Sequence, residues 1–333
     1  MTTNTTNARQ IIIGGGSWGT AIAAALARAE KDVSLLVRTP ETVAMLATGK
    51  CRQLPELPAI NPLHATIDPE CLGRADLIYV VVPVAATGTA IADIITHAAA
   101  GTGIVFCAKG LVADAREGGR LLPEIAADRL AGFRTGILSG PSFADEVING
   151  LPAALTIAAE EDNLVDAVQA GFANSNMRLY GSDDAIGVAV GGAMKSVIAI
   201  ASGCAAGMGL GDNAKAAILT RGIAEMARFA VAVGGRADTI YGLAGVGDLA
   251  LTCAGPHSRN MAYGMALGAG KVPDARLAEG RHTVAALHGR AKTMGLELPI
   301  TSAVDSVVNG GKNLHDVVAG LLARRTGPEV VQR

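Results

Sequence analysis

The stretch that decides the fold is residues 10–27, which read QIIIGGGSWGTAIAAALA. A β-branched run, Gln10–Ile13, leads into glycines, and an alanine-rich helix is predicted over Ser17–Arg28. Three of the glycines match G-x-G-x-x-G in the strand–loop–helix context that makes this pattern informative: Gly14, Gly16 and Gly19. The first permits a tight turn, the second lets the backbone approach a pyrophosphate at the helix N-terminus, and the third lets helix and strand pack closely. The stretch therefore predicts a dinucleotide-binding βα unit.

Other interpretations of the glycine-rich segments are weaker. A secretory signal peptide likewise has an apolar run after a basic residue. Here, however, three consecutive glycines interrupt the apolar run that follows Arg9. A kinase glycine-rich loop requires a valine that this chain lacks after the last glycine. A P-loop in 191–196, GGAMKS, requires glycine where Met194 stands. A glycine-rich turn without a ligand remains the plain alternative for 14–19.

Further buried strands alternate with helical segments along the first half of the chain. They are predicted at Val33–Val37, Asp76–Val82, Ile104–Cys107, Gly136–Leu138 and Ala153–Ala158. Strands that alternate with helices form right-handed βαβ units. The predicted fold class is therefore α/β, with an N-terminal Rossmann-type, doubly wound parallel sheet.

Beyond Asp183–Asp184 the pattern becomes helical, and no convincing strand follows. Helices are predicted over 214–233, 261–268, 277–294 and from 305 onward. We expect an all-α C-terminal domain, so that 1–184 form the dinucleotide-binding Rossmann domain and 185–333 form a helical substrate-binding domain.

The second half opens with a long apolar run, 185–211, in which Lys195 is the single lysine. Its length would suit a membrane span. A lysine in mid-span costs about 2.5–3.5 kcal/mol on insertion scales, and the run's many glycines weaken the helix further. We therefore expect no membrane span but a core helix, whose glycines let neighbouring backbones approach and whose lysine needs a buried partner.

Composition limits the classes of partner. The 333 residues are half hydrophobic, contain only 3% aromatic residues and carry a formal net charge of −2. Without a basic run, nucleic acid and anionic membranes are disfavoured as partners. The five cysteines are scattered and form no CxxC pair, so we expect no disulfide framework, no metal site and a reducing compartment.

Polar clusters interrupt the apolar sequence at four places, two of which follow predicted strands. They are Ala108–Gly110, Ser139–Ala144, Lys195, and the segment Gly242–Asp248 with Thr252 and His257–Asn260. In doubly wound folds, ligands bind at the carboxyl ends of the strands. The clusters are therefore the candidate site.

Most of these residues also have a plain structural interpretation. Lys109 could be a surface lysine, Asp248 could cap a helix, and Ser258 could cap the next helix beside a solvated Arg259. Gly140 could belong to an ordinary turn, and His257 is interpreted as a surface residue. Lys195 resists such an interpretation most, because a lone lysine in a core helix needs a partner.

With these motifs in view, the chain resembles the bacterial-type NAD(P)-dependent glycerol-3-phosphate dehydrogenases. The resemblance runs nearly from end to end, through GGGSWGTA, AKGL, SGPSFADEV, GGAMKSVIAIASG, TRGIAEM, GLAGVGDLALTC, HSRN and LPIT. It implies interconversion of dihydroxyacetone phosphate and sn-glycerol 3-phosphate, which supplies the glycerophospholipid backbone. It also implies a cytoplasmic enzyme and a homodimer.

The resemblance also implies roles for individual residues. Lys195 would be the catalytic acid/base. The substrate would contact Lys109, Gly140, Ser142, Lys195, Asp248, Thr252, Ser258, Arg259 and Asn260. The cofactor would contact Gly14, Gly16, Ser17, Trp18, Gly19, Arg38, Lys109, Ala144, Arg259, Leu277 and Glu279. In the reductive direction, the Lys195 ammonium would protonate the oxygen that receives charge, while Lys109 would lower its pKa and Asp248 would oppose this.

The residues after the second strand bear on the choice of cofactor. An NAD-selective site usually carries an acid there, whereas this chain has Arg38, which suits the 2′-phosphate of NADPH. We expect NADPH or NADH to be accepted, with NADPH favoured, unless Arg38 is only a solvated surface residue. Many relatives have a second basic residue where this chain has Val37, so the 2′-phosphate would be held less tightly here. Many also have asparagine where this chain has Ser196.

Two rival functions remain open at this point. A related dehydrogenase acting on a hydroxy acid or sugar acid would bind a carboxylate instead of a phosphate. A nucleotide-sensing regulator would need neither a buried lysine nor a second polar cluster, and both are present here.

Overall fold

The computed structural model describes residues 8–56, 60–274 and 280–323. Its main sheet contains β1 (Gln10–Ile13), β2 (Val33–Leu36), β3 (Ala65–Thr66), β4 (Leu77–Val80), β5 (Gly103–Phe106), β8 (Arg134–Ser139), β9 (Ala153–Ala159) and β10 (Met177–Ser182). A hairpin is formed by β6 (Leu111–Asp114) and β7 (Gly118–Leu121).

The helices of the first half are α1 (Ser17–Arg28), α2 (Pro40–Ala47), α3 (Thr87–His97), α4 (Leu122–Arg129), α5 (Ala144–Ile148) and α6 (Asp162–Phe172). Those of the second half are α7 (Ala185–Gly207), α8 (Gly211–Ala232), α9 (Ala237–Ile240), α10 (Asp248–Cys253), α11 (Arg259–Gly268), α12 (Gly280–Thr293), α13 (Pro299–Val308) and α14 (Leu314–Leu322).

The main sheet has the strand order β10-β9-β8-β5-β4-β1-β2-β3. From β3 to β8 all neighbouring strands are parallel, as in a doubly wound fold. The chain adds β2 and β3 on one side of β1, and β4 and β5 on the other, so the strand order reverses between β1 and β4. Ligands of doubly wound folds bind at such a switch point, beside the carboxyl ends of the strands. The Rossmann-type half that the sequence predicts is confirmed.

The expectation of a parallel sheet is wrong at one pair, because β9 runs antiparallel to β8. A parallel return needs a crossover that spans the sheet, usually a helix. The connection from Ser139 to Ala153 contains only α5, whose five residues rise about 7–8 Å, against about 20 Å for a six-residue strand. The chain therefore re-enters the sheet from the edge at which β8 ends.

Three other strand regions are absent from the sequence prediction. Strand β3 has only two residues, and the β6–β7 hairpin contains charged residues and glycines. Strand β10 lies at the edge of the sheet, where Arg178 and Tyr180 are exposed. None of these segments has the continuous apolar run by which buried parallel strands are recognised.

The glycine loop has the geometry that its sequence predicts. Gly14 has φ +121°, and a Cβ there would collide with the carbonyl oxygen of Val81, the residue directly after β4. A Cβ on Gly19 would collide with the carbonyl oxygen of Gly14 and approach Ile12. Only glycine therefore permits both the turn and the close approach of α1 to the sheet.

Helix α7 is the core of the second half. It is long and apolar enough to pass a composition test for a membrane span, but 78% of its most apolar window is buried inside the protein. Its backbone packs directly on α11, because Gly203 and Gly207 face Gly264 and Gly268. The predicted core helix with close glycine contacts is confirmed, and it is not a membrane span.

All described elements beyond Ser182 are helical, as expected. The predicted helices correspond to α8, α11, α12, α13 and α14, whereas the short α9 and α10 were not anticipated. A division into domains 1–184 and 185–333 would fall between β10 and α7. It stays a prediction, because one apolar cluster continues from the sheet, at Ile78, to α7 and α12, at Ile198 and Leu287.

Candidate active site

The first part of the site is the glycine loop between β1 and α1. Nothing lies within 4 Å of the place where a Cβ on Gly16 would stand. Gly16 is also the N-cap of α1 and offers no side chain to the first-turn N–H groups, which can therefore bind an anion. The indole N–H of Trp18 is buried and has no hydrogen-bond partner among the described residues. These features of the loop fit a dinucleotide pyrophosphate.

The end of β2 borders the same loop. A Cβ on Gly15 would lie 2.7 Å from a methyl group of Val37 and 3.0 Å from one of Thr42. Arg38 follows Val37 and is exposed, and Thr39 caps α2 by accepting a hydrogen bond of 3.3 Å from the Thr42 amide. This edge therefore offers a cation and a helix N-terminus to the adenosine side of a dinucleotide.

The second part of the site is an ionic cluster. Asp248, the first residue of α10, is 1% exposed, and both of its carboxylate oxygens bind lysine. Lys195 of α7 donates to Oδ1, and Lys109, which follows β5, donates to Oδ2 at 2.8 Å. The two lysine side chains are 13% and 16% exposed. Two cations on one carboxylate leave the cluster with one positive charge in excess.

The surroundings of Lys195 tune its acidity. Burial is the largest cause and lowers the pKa of the ammonium, Asp248 raises it, and Lys109 lowers it again. The net result is a pKa of about 8, well below the ordinary value of 10.5. A group with such a pKa can both give and take a proton near neutral pH. Burial and Lys109 together therefore outweigh the opposing effect of Asp248 on the pKa of Lys195.

The loop after β8 is fastened to this cluster. Gly140 has φ +140°, and a Cβ there would lie 2.9 Å from the Cα of Leu155. Its carbonyl oxygen accepts hydrogen bonds from Lys109 Nζ at 2.9 Å and from Ser142 Oγ at 3.0 Å. Ala144 then begins α5. Lys109 therefore connects the loop 139–144 with the buried carboxylate of α10.

The remaining predicted residues follow Asp248 in the helical half. Thr252 is buried, and its hydroxyl donates to the Asp248 carbonyl at 2.6 Å. Ser258 caps α11 by accepting from the Met261 amide at 3.3 Å. Arg259 is exposed in the first turn, and Asn260 Oδ1 accepts from the amide of Gly280, where α12 starts, at 3.1 Å.

Most of the predicted residues form two neighbouring groups at the carboxyl edge of the sheet. Direct hydrogen bonds join Lys109, Gly140, Ser142, Lys195, Asp248 and Thr252, whereas Gly14–Gly19 and Arg38 form the separate glycine-loop side. A Cβ on Gly280 would lie 2.9 Å from Asn260 Oδ1 and 3.1 Å from the Ser196 carbonyl, so the start of α11 stands beside α7 next to Lys195. Leu277 and Glu279 lie outside the described residues.

Two nearby residues lie in the predicted polar clusters, but the sequence assigns them no role in the site. Ser139 is 1% exposed, and its hydroxyl has no partner among the described residues; it lies 2.7 Å from where a Cβ on Gly192 would stand. His257, interpreted as a surface residue, is indeed exposed, but its ring lies 4.1 Å from that of Phe143, centroid to centroid. Both residues stand directly before predicted site residues, in SGPS and HSRN, and their place in these clusters is the signal that the sequence offers.

Two family models match the chain. The model described as the NAD-dependent glycerol-3-phosphate dehydrogenase N-terminus matches residues 11–165. The model of the C-terminus of NAD-dependent glycerol-3-phosphate dehydrogenase matches residues 184–319. Together they cover both halves of the molecule and every predicted site residue.

Individual proteins are similar over almost the whole length. A glycerol-3-phosphate dehydrogenase (NAD(P)+) of Bradyrhizobium sp. (strain ORS 278) is 40% identical over 94% of this chain and 95% of the relative. One of Caulobacter vibrioides is 40% identical over 96% of this chain and 98% of the relative. The crystal structure of glycerol-3-phosphate dehydrogenase from Coxiella burnetii has a TM-score of 0.88 at 35% identity, and covers 96% of this chain and 100% of that one.

Proposed function

The chain belongs to the NAD-dependent glycerol-3-phosphate dehydrogenase family, and from this premise we propose that it reduces dihydroxyacetone phosphate to sn-glycerol 3-phosphate with Lys195 as the acid. It is an NAD(P)-dependent oxidoreductase, and its cofactor is NADH or NADPH. The single observation that carries the residue assignment is the pair of lysines on the buried Asp248, one of which follows β5 at the edge of the sheet where the glycine loop follows β1. The product supplies the backbone of glycerophospholipids.

Lys195 supplies the proton. A nicotinamide cofactor held at the glycine loop would supply the hydride for the ketone carbon, and the carbonyl oxygen of the substrate would then gain negative charge and need a proton. An ammonium against that oxygen stabilises the charge and protonates it. With a pKa of about 8, the Lys195 side chain is mostly protonated at pH 7, and it becomes a base for the reverse reaction at higher pH.

Asp248 holds the two ammonium groups at one place. It is buried and bonded to both, so neither lysine can swing away without leaving the carboxylate partly unpaired, which is costly. Lys109 adds a second positive charge beside the developing oxyanion and, through the Gly140 carbonyl, positions the loop that carries Ser142. Preorganised charge of this kind is typically the largest contribution to such catalysis.

The phosphate end of the substrate binds at the start of α11. Ser258, Arg259 and Asn260 occupy its cap and first turn, where N–H groups and the helix dipole attract anions. The guanidinium of Arg259 can make charge-assisted, bidentate bonds to phosphate oxygens. Binding energy from the phosphate then orients the ketone next to Lys195.

NADPH is the favoured cofactor in this proposal. Arg38 and the N-terminus of α2 stand where the adenosine ribose follows the pyrophosphate in doubly wound folds, and no acid follows β2 before Glu41. We further propose a homodimer in the cytoplasm. Light scattering at micromolar concentration tests the first of these, and cell fractionation tests the second.

The assay that tests the proposed function follows NADPH absorbance with dihydroxyacetone phosphate as the sole substrate. We expect substrate-dependent oxidation of NADPH, and much slower oxidation with a panel of 2-keto acids. Turnover of a keto acid but not of the phosphate would assign the chain to a different dehydrogenase reaction. Cofactor binding without turnover of either would indicate a regulator.

A further inference from the structure

A contact between the two halves of the molecule lies at the rim of the site. His257, directly before the cap of α11, stacks on Phe143, directly before α5, with the ring centroids 4.1 Å apart and the planes at 35°. The His257 Nε2 atom lies 3.3 Å from Oδ1 of Asp145 in the first turn of α5. The His257 side chain thus contacts the start of α5 through both its ring and its Nε2 atom.

The two partners are fixed on their own sides. The Phe143 carbonyl accepts from the Val147 amide at 3.1 Å, so Phe143 is the anchored N-cap of α5. His257 precedes Ser258, whose hydroxyl caps α11. A displacement of either ring therefore moves a residue that touches the proposed substrate: Ser142 on one side, and Ser258 or Arg259 on the other.

Two other polar contacts between the halves, both among the described residues, lie elsewhere in the fold. Lys109 joins the loop after β8 to Asp248 at the buried floor of the site. Arg290 of α12 binds Glu117 and Glu124 beside the β6–β7 hairpin, in a different part of the fold. Neither of these contacts involves the start of α11, which carries the phosphate-binding residues.

We propose that His257 is a positioning residue for the substrate. It fastens the start of α11 to the loop after β8, and so sets the distance between the group that binds the phosphate and the groups that act on the ketone. This inference rests on the proposed function, because it concerns a substrate that carries both ends. His257 acts through Ser258 and Arg259 and touches no reacting atom.

The test compares variants of the full-length protein in the dihydroxyacetone phosphate assay. We expect His257→Ala to raise KM about tenfold, as the loss of one aromatic stack and one half-exposed hydrogen bond implies, and to leave kcat within about twofold. His257→Phe keeps the stack and His257→Gln keeps a hydrogen-bonding group, so each should show a smaller rise in KM than His257→Ala. Asp145→Ala placed in the His257→Ala background adds no further increase.

The control is His315→Ala, which removes an exposed histidine from the first turn of α14 and should leave KM unchanged. A wild-type KM in His257→Ala overturns the inference. So does a fall in kcat and in melting temperature that accompanies the rise in KM and that neither His257→Phe nor His257→Gln reverses, because that pattern indicates a purely structural role. An inactive wild-type protein would instead remove the proposed function.

Discussion

Asp184 and Asp248 are two buried aspartates at the starts of two helices, yet their surroundings differ completely. Asp184 is 6% exposed and accepts from neutral donors: the Gly187 amide at 2.8 Å, the Arg236 amide at 2.9 Å and the Thr239 hydroxyl at 2.6 Å. Asp248 is 1% exposed and accepts from two lysine ammonium groups.

The difference separates a structural carboxylate from one that serves chemistry. The Asp184 carboxylate caps α7 and ties it to Arg236 and Thr239 at the start of α9, and its donors bring no mobile proton. At Asp248 each donor is an acid, and one positive charge is left over for an anion. Burial alone therefore does not mark a functional carboxylate, whereas the type of donor does.

The largest expected effect comes from removing the acid on the Asp248 side. Lys195→Met should lower kcat about 10²–10⁴-fold, because the proton donor is lost while Lys109 still pairs with Asp248. Turnover in the absorbance assay and NADPH binding by fluorescence measure the two consequences, and binding should be unchanged. Lys215→Met, at a half-exposed position of α8, is the control and should keep full activity.

The next effect tests whether a second group, apart from the Asp248 cluster, binds the phosphate of the substrate. Arg259→Ala should raise KM for dihydroxyacetone phosphate about 10–100-fold, as expected for the loss of hydrogen bonds to a charged group, with a much smaller change in kcat. Steady-state kinetics measure both constants. An unchanged KM would mean that Arg259 is only a solvated residue after the Ser258 cap.

The third effect concerns the Asp184 side and should appear in stability instead of activity. Asp184→Ala should lower the free energy of unfolding by about 1–3 kcal/mol, because it removes a helix cap and leaves buried donors unsatisfied. Urea unfolding measures this, and activity per folded molecule should stay within about twofold. Asp183→Ala, next to it but exposed and paired with Arg236 at the surface, should leave the urea midpoint unchanged. A large loss of kcat in Asp184→Ala would remove the distinction between the two aspartates.

The smallest expected effect concerns the choice between NADPH and NADH. Arg38→Ala should raise KM for NADPH several-fold and leave KM for NADH unchanged, since an exposed arginine contributes modestly to phosphate binding in water. Parallel measurements with the two cofactors reveal the difference. A strong NADH preference in the wild-type protein that Arg38→Ala does not alter would exclude the proposed role.

The sequence predicts the parts of this molecule whose determinants are local. The βα unit at 10–28 follows from β-branched residues, three required glycines and a run of alanines, and its element bounds agree with the structure. The antiparallel β9 and the edge strand β10 depend instead on a short connection and on the position in the sheet. No residue pattern within either strand records these features.

The same distinction applies to the site. A lysine in an apolar helix requires a partner, so the sequence alone makes Lys195 conspicuous. The sequence does not show whether Asp248 caps a helix or pairs with a lysine, because the two lysines that bind it are 53 and 139 residues away. The contact of His257 with Phe143 was missed for the same reason, since 257 and 143 are distant in sequence and meet only when the two halves pack.

The central claim is that the buried Lys195 beside Asp248 is the proton donor. The most direct test is the pH dependence of kcat/KM for reduction of dihydroxyacetone phosphate, compared between wild type and Lys195→Met. Reduction requires the ammonium, so wild-type kcat/KM should fall as the pH rises through about 8, and the residual activity of Lys195→Met should lack this fall. In the oxidative direction the neutral amine is required, and the rate should rise over the same range. A fall near pH 8 that persists unchanged in Lys195→Met would contradict the assignment.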